Sequence, residues 1–380
     1  MDFTFTEEQQ MLQDTTRRFV SRDYTFETRR QRLAAAREGR ADRKVWQGLA
    51  DLGVLALNVP EEDGGLGGNA IDTMLVMTAL GEGLVLEPFL SSAVLSTRAL
   101  ASMGSAAQKE SMLPALAAGE TVVVFAHDEA ASRFDWKAIE TSAREDDGSY
   151  VLNGRKSVIP YAPSADVLLV TARIQGPDQP GAMAVFAVPR NAAGMRIVPA
   201  PLVDGSVAGE IVLDEVSLPG QALLGETTDD AESRIADVLD AGIAAVCAEA
   251  VGALDKLLAA TVEYARTRKQ FGVPIGKFQA LQHKMADMVL HIEQARSMSY
   301  LASVRCTDPD LALRRRDLSA AKVIVGQACR FVGQQAVQLH GGMGVTDELD
   351  VSHYFKRLMA IEMAFGSTDT HLEQLAASLS

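Results

Sequence analysis

The forty-two residues from Asp230 to Phe271 contain no proline, and apolar side chains recur through them at helical spacing. The same stripe returns over 278–306 and 318–340. Helices of about 30–40 residues are long for a globular protein. A single apolar stripe of that length is buried only against other helices, which predicts an antiparallel four-helix bundle for residues 228–380.

The preceding 107 residues, 121–227, have a different texture. Short runs rich in Val, Thr and Tyr (Thr121–Phe125, Tyr150–Asn153, Val167–Ala172, Met183–Val188 and Glu210–Leu213) alternate with turn signals at Asp146-Asp147-Gly148, Asn153-Gly154, Gly176-Pro177 and Pro219-Gly220. That spacing predicts a small antiparallel β-barrel or sandwich. Residues 1–120 read as helices. Thr6-Glu7-Glu8-Gln9 is a capping box, and Arg43–Leu52 is a helix stopped by Gly53. The Pro/Gly-rich loop Leu55–Gly68 then leads into a helix through Met77 and Leu80. The expected class is α+β in three parts: helical domain, β-barrel domain, helical bundle.

Fifty Asp and Glu against 36 Lys and Arg leave a net charge of −14, a poor match to a phosphate backbone, so nucleic acid is not an expected partner. Cys247, Cys306 and Cys329 form no disulfide framework and no metal-ligand spacing. No apolar run reaches the roughly 18 residues that a membrane helix needs. The polar, acidic start MDFTFTEEQQ is unlike a signal peptide. A cytoplasmic chain without metal or membrane contact is the expectation.

Familiar catalytic signatures are missing. There is no Gly-x-Gly-x-x-Gly after a strand, no phosphate-binding P-loop and no Gly-x-Ser-x-Gly elbow. The six histidines are scattered and read as structural or surface residues. Two segments do suggest a ligand. In Arg268-Lys269-Gln270-Phe271-Gly272, followed by Phe278-Gln279, a cation, an aromatic ring and amide donors suit a phosphate and a planar ring. The same cations would equally complement a helix C-terminal dipole. In Gln338-Leu339-His340-Gly341-Gly342-Met343-Gly344, clustered glycines permit close backbone approach, or simply end a helix.

Taken with Val59–Gly67, Tyr150–Lys156, Val212–Leu224 and Phe278–Met288, these segments resemble the acyl-CoA dehydrogenase family, in order and along nearly the whole chain. The resemblance implies FAD, an acyl-CoA substrate, α,β-dehydrogenation, a dimer or dimer of dimers, and an electron-transferring flavoprotein as electron acceptor. In that family Arg268, Phe271, Gln279, Gln338, Gly341 and Gly342 match positions that reach across a subunit interface to the diphosphate and adenine end of the neighbour's FAD.

The departures from the family pattern concern chemistry. A carboxylate base is needed to take the α-proton. The family places it most often in a Tyr-Glu-Gly-Thr-like turn, here Ala364-Phe365-Gly366-Ser367, where Phe365 stands for the Glu. A minority keep it on the helix before Arg-x-x-Phe-Gly, where this chain has Gly242 followed by Ile243. The flavin-side Thr-Glu-Pro-Gly-Ala-Gly-Ser-Asp stretch reads Ala126-His127-Asp128-Glu129-Ala130-Ala131-Ser132-Arg133, and Trp-Ile-Thr reads Val158-Ile159-Pro160. The N-terminus and Lys156-Ser157-Val158 look most like small subunits of the pimeloyl-CoA dehydrogenase type. These features predict a base-lacking subunit of a heteromeric enzyme, paired with a Glu-bearing partner subunit. The alternatives are a self-contained enzyme with a displaced base at Glu362 or Asp240, and a purely structural partner subunit.

Overall fold

The structure, a computed structural model, describes residues 5–37, 43–175 and 181–378. The expected turn at Gly176-Pro177 and the first four residues of the chain lie outside that range. Helices α1 (Glu7–Asp23), α2 (Phe26–Arg37), α3 (Arg43–Asp51), α4 (Ala70–Gly83), α5 (Thr97–Met103) and α6 (Ala106–Ala117) come first. Seven strands follow: β1 (Val123–Ala126), β2 (Ser142–Asp146), β3 (Ser149–Pro160), β4 (Val167–Gln175), β5 (Met183–Pro189), β6 (Met195–Pro201) and β7 (Val207–Pro219). The chain then forms α7 (Ala231–Thr267), the hairpin β8 (Lys269–Gln270) and β9 (Val273–Pro274), α8 (Gln279–Arg305), α9 (Leu311–His340), α10 (Asp350–Met363) and α11 (Thr368–Ser378). Among the described residues no helix is long and apolar enough to cross a membrane.

Local signals in the sequence act as expected. The Thr6 hydroxyl caps the Gln9 N–H and the Gln9 amide caps Thr6, closing the box at the start of α1. Gly53 takes a left-handed φ of 76° just past α3.

Contacts divide the chain into two compact units. One gathers the residues through Arg29, with Ala70–Val85 and Asp240 onward. Here α8, α10 and α11 pack on α9, and α1 packs on α4. The buried residues of α8 (Met288, Ile292, Ala295, Ser299 and Ala302) recur every three or four positions, which presents a narrow stripe to its neighbours. Helices α4 and α7 approach closely because both carry glycine at the crossing. A Cβ on Gly81 would stand 2.2 Å from the Glu249 carbonyl, and one on Gly252 would stand 1.9 Å from the Thr78 carbonyl. The Thr78 hydroxyl donates to the Ala248 carbonyl at 3.3 Å across the same crossing. Buried Glu249 accepts both Arg357 nitrogens, at 2.6 and 2.7 Å, tying α7 to α10.

The other unit, Arg30–Asn69 with Leu86–Leu239, holds the sheet. Its order is β1-β4-β2-β3-β7-β6, with β5 on β4. The expected antiparallel pairing holds for β2·β3, β3·β7, β4·β5 and β6·β7. Strands β1 and β2 instead run parallel to β4, side by side along one of its edges. The reason is topological. The chain leaves the sheet after Ala126, opposite Val170, and returns at Ser142, opposite Arg173. A single strand's edge thus serves both, and the loop 127–141 is the excursion between them. Strands β2 and β6 escape the sequence pattern: β2 buries one residue, Ala143, and β6 lies at an edge with Pro199 and Pro201 in it.

Gly252→Ala is expected to destabilise by about 1–3 kcal/mol or more, because the carbonyl it would meet is fixed backbone. Gly342→Ala, whose Cβ meets nothing within 4 Å, should leave the thermal midpoint unchanged. Thermal denaturation of the two variants checks this ordering, and equal midpoints would contradict the close α4–α7 crossing.

Candidate functional site

The six residues matched to the cofactor-contacting positions lie in one unit, at one end of its long helices. Tyr264, near the end of α7, stacks on His340, the last residue of α9, with ring centroids 4.3 Å apart. Its hydroxyl donates to the His340 carbonyl at 3.3 Å. Arg268 therefore follows α7 where Gly341 follows α9. The β8–β9 hairpin leads from Arg268 into α8, and Lys284 of α8 donates to Gln335 of α9 at 3.0 Å. That antiparallel pairing brings Gln279, at the start of α8, to the same end as Gln338.

These side chains are exposed, and those of Arg268, Gln279 and Gln338 make no hydrogen bond among the described residues. Two of the six positions have features that this chain's own fold does not need. Phe271 occupies the hairpin turn with φ 53°, followed by Gly272 at 81°, a turn that favours Asn-Gly. It is 92% exposed, and its ring meets that of Phe278 edge-to-face with centroids 6.1 Å apart. Gly341 needs its freedom for φ 61°, and a Cβ on Gly344 would stand 2.6 Å from the Val337 carbonyl. Gly342 has neither reason: its φ is not left-handed and a Cβ there meets open space. An unsupported ring, a free guanidinium and an unexplained glycine fit close approach by a phosphate-bearing, planar group from outside the chain. The diphosphate and adenine end of FAD has that chemistry.

The positions matched to the base are arranged differently. Phe365 sits in the turn between α10 and α11 with φ 58°, and Gly242 is buried within α7. Glu362 is buried with its carboxylate turned to the start of α11. It accepts the Thr368 N–H at 3.0 Å and lies 3.5 Å from Arg330. Asp240 pairs with Arg314 at 2.8 Å, both buried. Each of these carboxylates is engaged in holding helices together. Among the described residues no three His, Cys, Asp or Glu side chains stand together as a metal site.

In the other unit, the loop 127–141 folds onto the sheet around a lysine with no exposed surface. Lys156 of β3 donates to Glu129 at 2.6 Å, to Thr171 at 2.9 Å and to the His127 carbonyl at 3.1 Å. Glu129 also accepts the N–H groups of Glu140 and Thr141 at 2.7 and 3.1 Å, and the Thr141 hydroxyl at 2.6 Å. Burial pushes the Lys156 ammonium down to about 8, against the pull of Glu129. Burial would raise Glu129, but Lys156 and these hydrogen bonds outweigh it and hold the carboxyl below its ordinary range. His127 lies 3.2 Å from Thr171, and burial followed by the Lys156 charge pushes it down to about 3, so it stays neutral. Just beyond Lys156 a β-bulge gives Val158 a φ of 55° and turns it outward, 60% exposed. Within this loop the Glu129 carboxylate and the His127 carbonyl are satisfied inside the chain, whereas Asp128, Arg133, Lys137 and Glu140 are exposed. Residue patterns alone did not single out this network, since its members are 15 and 27 residues apart along the chain.

Three sequence profiles match the chain in order. They are acyl-CoA dehydrogenase, N-terminal domain, over residues 6–120, the middle domain over 125–216, and the C-terminal domain over 233–380. The probable acyl-CoA dehydrogenase YngJ of Bacillus subtilis is 30% identical over 387 residues, covering 100% of both chains. Among solved structures, the ChsE4–ChsE5 complex of Mycobacterium tuberculosis superposes with TM-score 0.87 at 27% identity, covering 100% of this chain and 99% of that one. Butyryl-CoA dehydrogenase of Megasphaera elsdenii gives 0.88 at 26%, with 100% of each covered. The chain belongs to the acyl-CoA dehydrogenase family, the flavin-dependent CH–CH oxidoreductases that use FAD.

Proposed function

We propose that this chain is the base-lacking subunit of a heteromeric acyl-CoA dehydrogenase, contributing the diphosphate and adenine contacts for FAD held mainly by a Glu-bearing partner subunit. The observation that carries this reading is an asymmetry between the two units. One presents Arg268, Phe271 and Gly342 to the outside with no use for them in its own fold. The other turns Glu129 and the His127 carbonyl of the loop 127–141 inward onto Lys156. The solved neighbour that is a complex of two named polypeptides, ChsE4 and ChsE5, supports a heteromer.

FAD would supply the acceptor for the β-hydride, and a carboxylate is needed to take the α-proton. In this reading the carboxylate is the partner's, because Phe365 has no group to accept a proton and Gly242 has no side chain. Arg268 pairs with the diphosphate, Phe271 packs against the cofactor, Gln279 and Gln338 supply polar contacts, and Gly341 and Gly342 leave room. Leu290, 63% exposed on the outward side of α8, adds apolar surface to the same association. An electron-transferring flavoprotein would serve as the electron acceptor. Three buried thiols, unpaired with one another, accord with a cytoplasmic setting.

The direct test is co-expression with a Glu-bearing family member encoded beside this gene. The two should co-purify as an active flavoprotein, whereas an active, flavin-loaded chain on its own would overturn the reading. In that complex, Arg268→Ala is expected to weaken FAD binding about 10- to 100-fold, the loss of a charged hydrogen bond, with little change in thermal midpoint. Unchanged FAD affinity would favour a purely structural subunit.

Two buried histidines, His127 beside Thr171 and His371 of α11, predict acid lability. His127 is pushed to about 3 and His371 to about 4 in the folded chain, mainly by burial, against 6.5 when unfolded. The unfolded chain therefore binds more protons below pH 6.5, and stability is greatest above that pH and falls as pH drops. Between pH 7 and 5, His127 alone should account for a loss of about 2 kcal/mol, read by urea unfolding. His127→Gln should flatten that slope, and a variant slope equal to the wild type would contradict the assignment.

A further inference from the structure

The turn between α10 and α11 is held more firmly than a connection of its length requires. Lys322, in the middle of α9 with no exposed surface, donates to the Glu362 carbonyl at 2.8 Å and to the Gly366 carbonyl at 2.9 Å. His371 of α11 reaches the Phe365 carbonyl between them at 3.0 Å through Nε2, and the Ser319 hydroxyl at 3.1 Å through Nδ1. Burial, then the Lys322 charge, keeps this imidazole neutral, so it donates from Nε2 and accepts at Nδ1. The Glu362 carboxylate closes the far side on the Thr368 N–H.

Two features of this arrangement are costly. A buried ammonium facing carbonyls is less stable than an apolar side chain of similar size, and burial accordingly lowers the Lys322 amine below its ordinary value. Phe365 is held at φ 58° and Gly366 at 109°. An aromatic residue in left-handed backbone is strained, and such strain persists only where the surroundings over-determine it. The clamp supplies that determination: three carbonyls spaced over five residues, 362 to 366, converge on two donors.

We propose that Lys322 is a positioning residue. It draws the carbonyls of Glu362 and Gly366 onto one ammonium, and so forces residue 365 into left-handed backbone as a preformed mount from which its side chain projects in one direction. The use of that mount rests on reading Phe365 as the vacated base position. On it a carboxylate would stand as a general base, and this chain has kept the mount while placing on it a ring that takes no proton.

The test compares Phe365→Gly with Phe365→Ala in the full chain, so that loss of the ring cancels. At an ordinary position Ala is the more stable of the two. Here Gly should be favoured about 5- to 30-fold in the folding equilibrium constant. In a Lys322→Met background the gap should collapse or reverse, because the turn is free to relax. If Lys322→Met does not fold, His371→Ala, which releases the Phe365 carbonyl, should narrow the same gap. Ala at least as stable as Gly in the wild-type background, or a gap untouched by removing the clamp, overturns the proposal.

A second arm separates the mount from its use. Phe365→Glu is incubated with butyryl-CoA in D2O and deuterium at the α-carbon is read by mass spectrometry. The carboxylate takes the α-proton and a solvent deuteron returns to the same carbon, with no net oxidation. Exchange that appears with Phe365→Glu and is lost on adding Lys322→Met supports both claims. A preserved Gly-over-Ala gap without exchange leaves the clamp standing and contradicts the reading of residue 365 as the base position.

Discussion

A buried charge has to be satisfied where it stands, and two lysines with no exposed surface each organise a connecting segment of this chain. Lys156 pulls Glu129 and the His127 carbonyl onto the sheet. The loop 127–141, which fills the interval between two strands sharing one edge of β4, is thereby folded inward. Lys322 does the same for the turn after α10, where it gathers the Glu362 and Gly366 carbonyls. Replacing either by an apolar residue would remove a desolvation cost, but it would also release the backbone that the ammonium holds. Each lysine makes sense as a device for fixing a backbone shape.

The contrast with the other end of the helical unit is instructive. There the fold is finished by the stacking of Tyr264 on His340, and what lies beyond is left open. Arg268, Phe271, Gln279 and Gln338 are exposed, and Gly342 is explained by neither conformation nor packing. Glu129 of the loop 127–141 is engaged within the chain, whereas these groups at the ends of α7 and α9 are not.

Much of the architecture could be read from the residues. The absence of proline over 230–271 marks α7, the Thr6–Gln9 box marks the start of α1, and Gly53 marks the end of α3. These are local signals with local causes. What escaped depends on partners distant in sequence. Strands β2 and β6 carry no alternation because one buries a single side chain and the other lies at an edge. The parallel pairing of β1 and β2 with β4 follows from the path of the chain. The matched segments did locate the exposed residues at the ends of α7 and α9, since they are contiguous motifs. Lys322 was missed, although a lysine within the apolar run Ala321-Lys322-Val323-Ile324 was a visible anomaly. The left-handed backbone of Phe365 had no signature at all, because an aromatic residue argues against it.

The central claim is that the chain's own flavin site is closed while its contribution to a neighbour's is intact. Flavin content tests this most directly. The chain, purified alone and equilibrated with excess FAD, is expected to retain none after gel filtration, and its complex with a Glu-bearing partner is expected to retain one FAD for each pair of subunits. One FAD per subunit in the isolated chain would contradict the account.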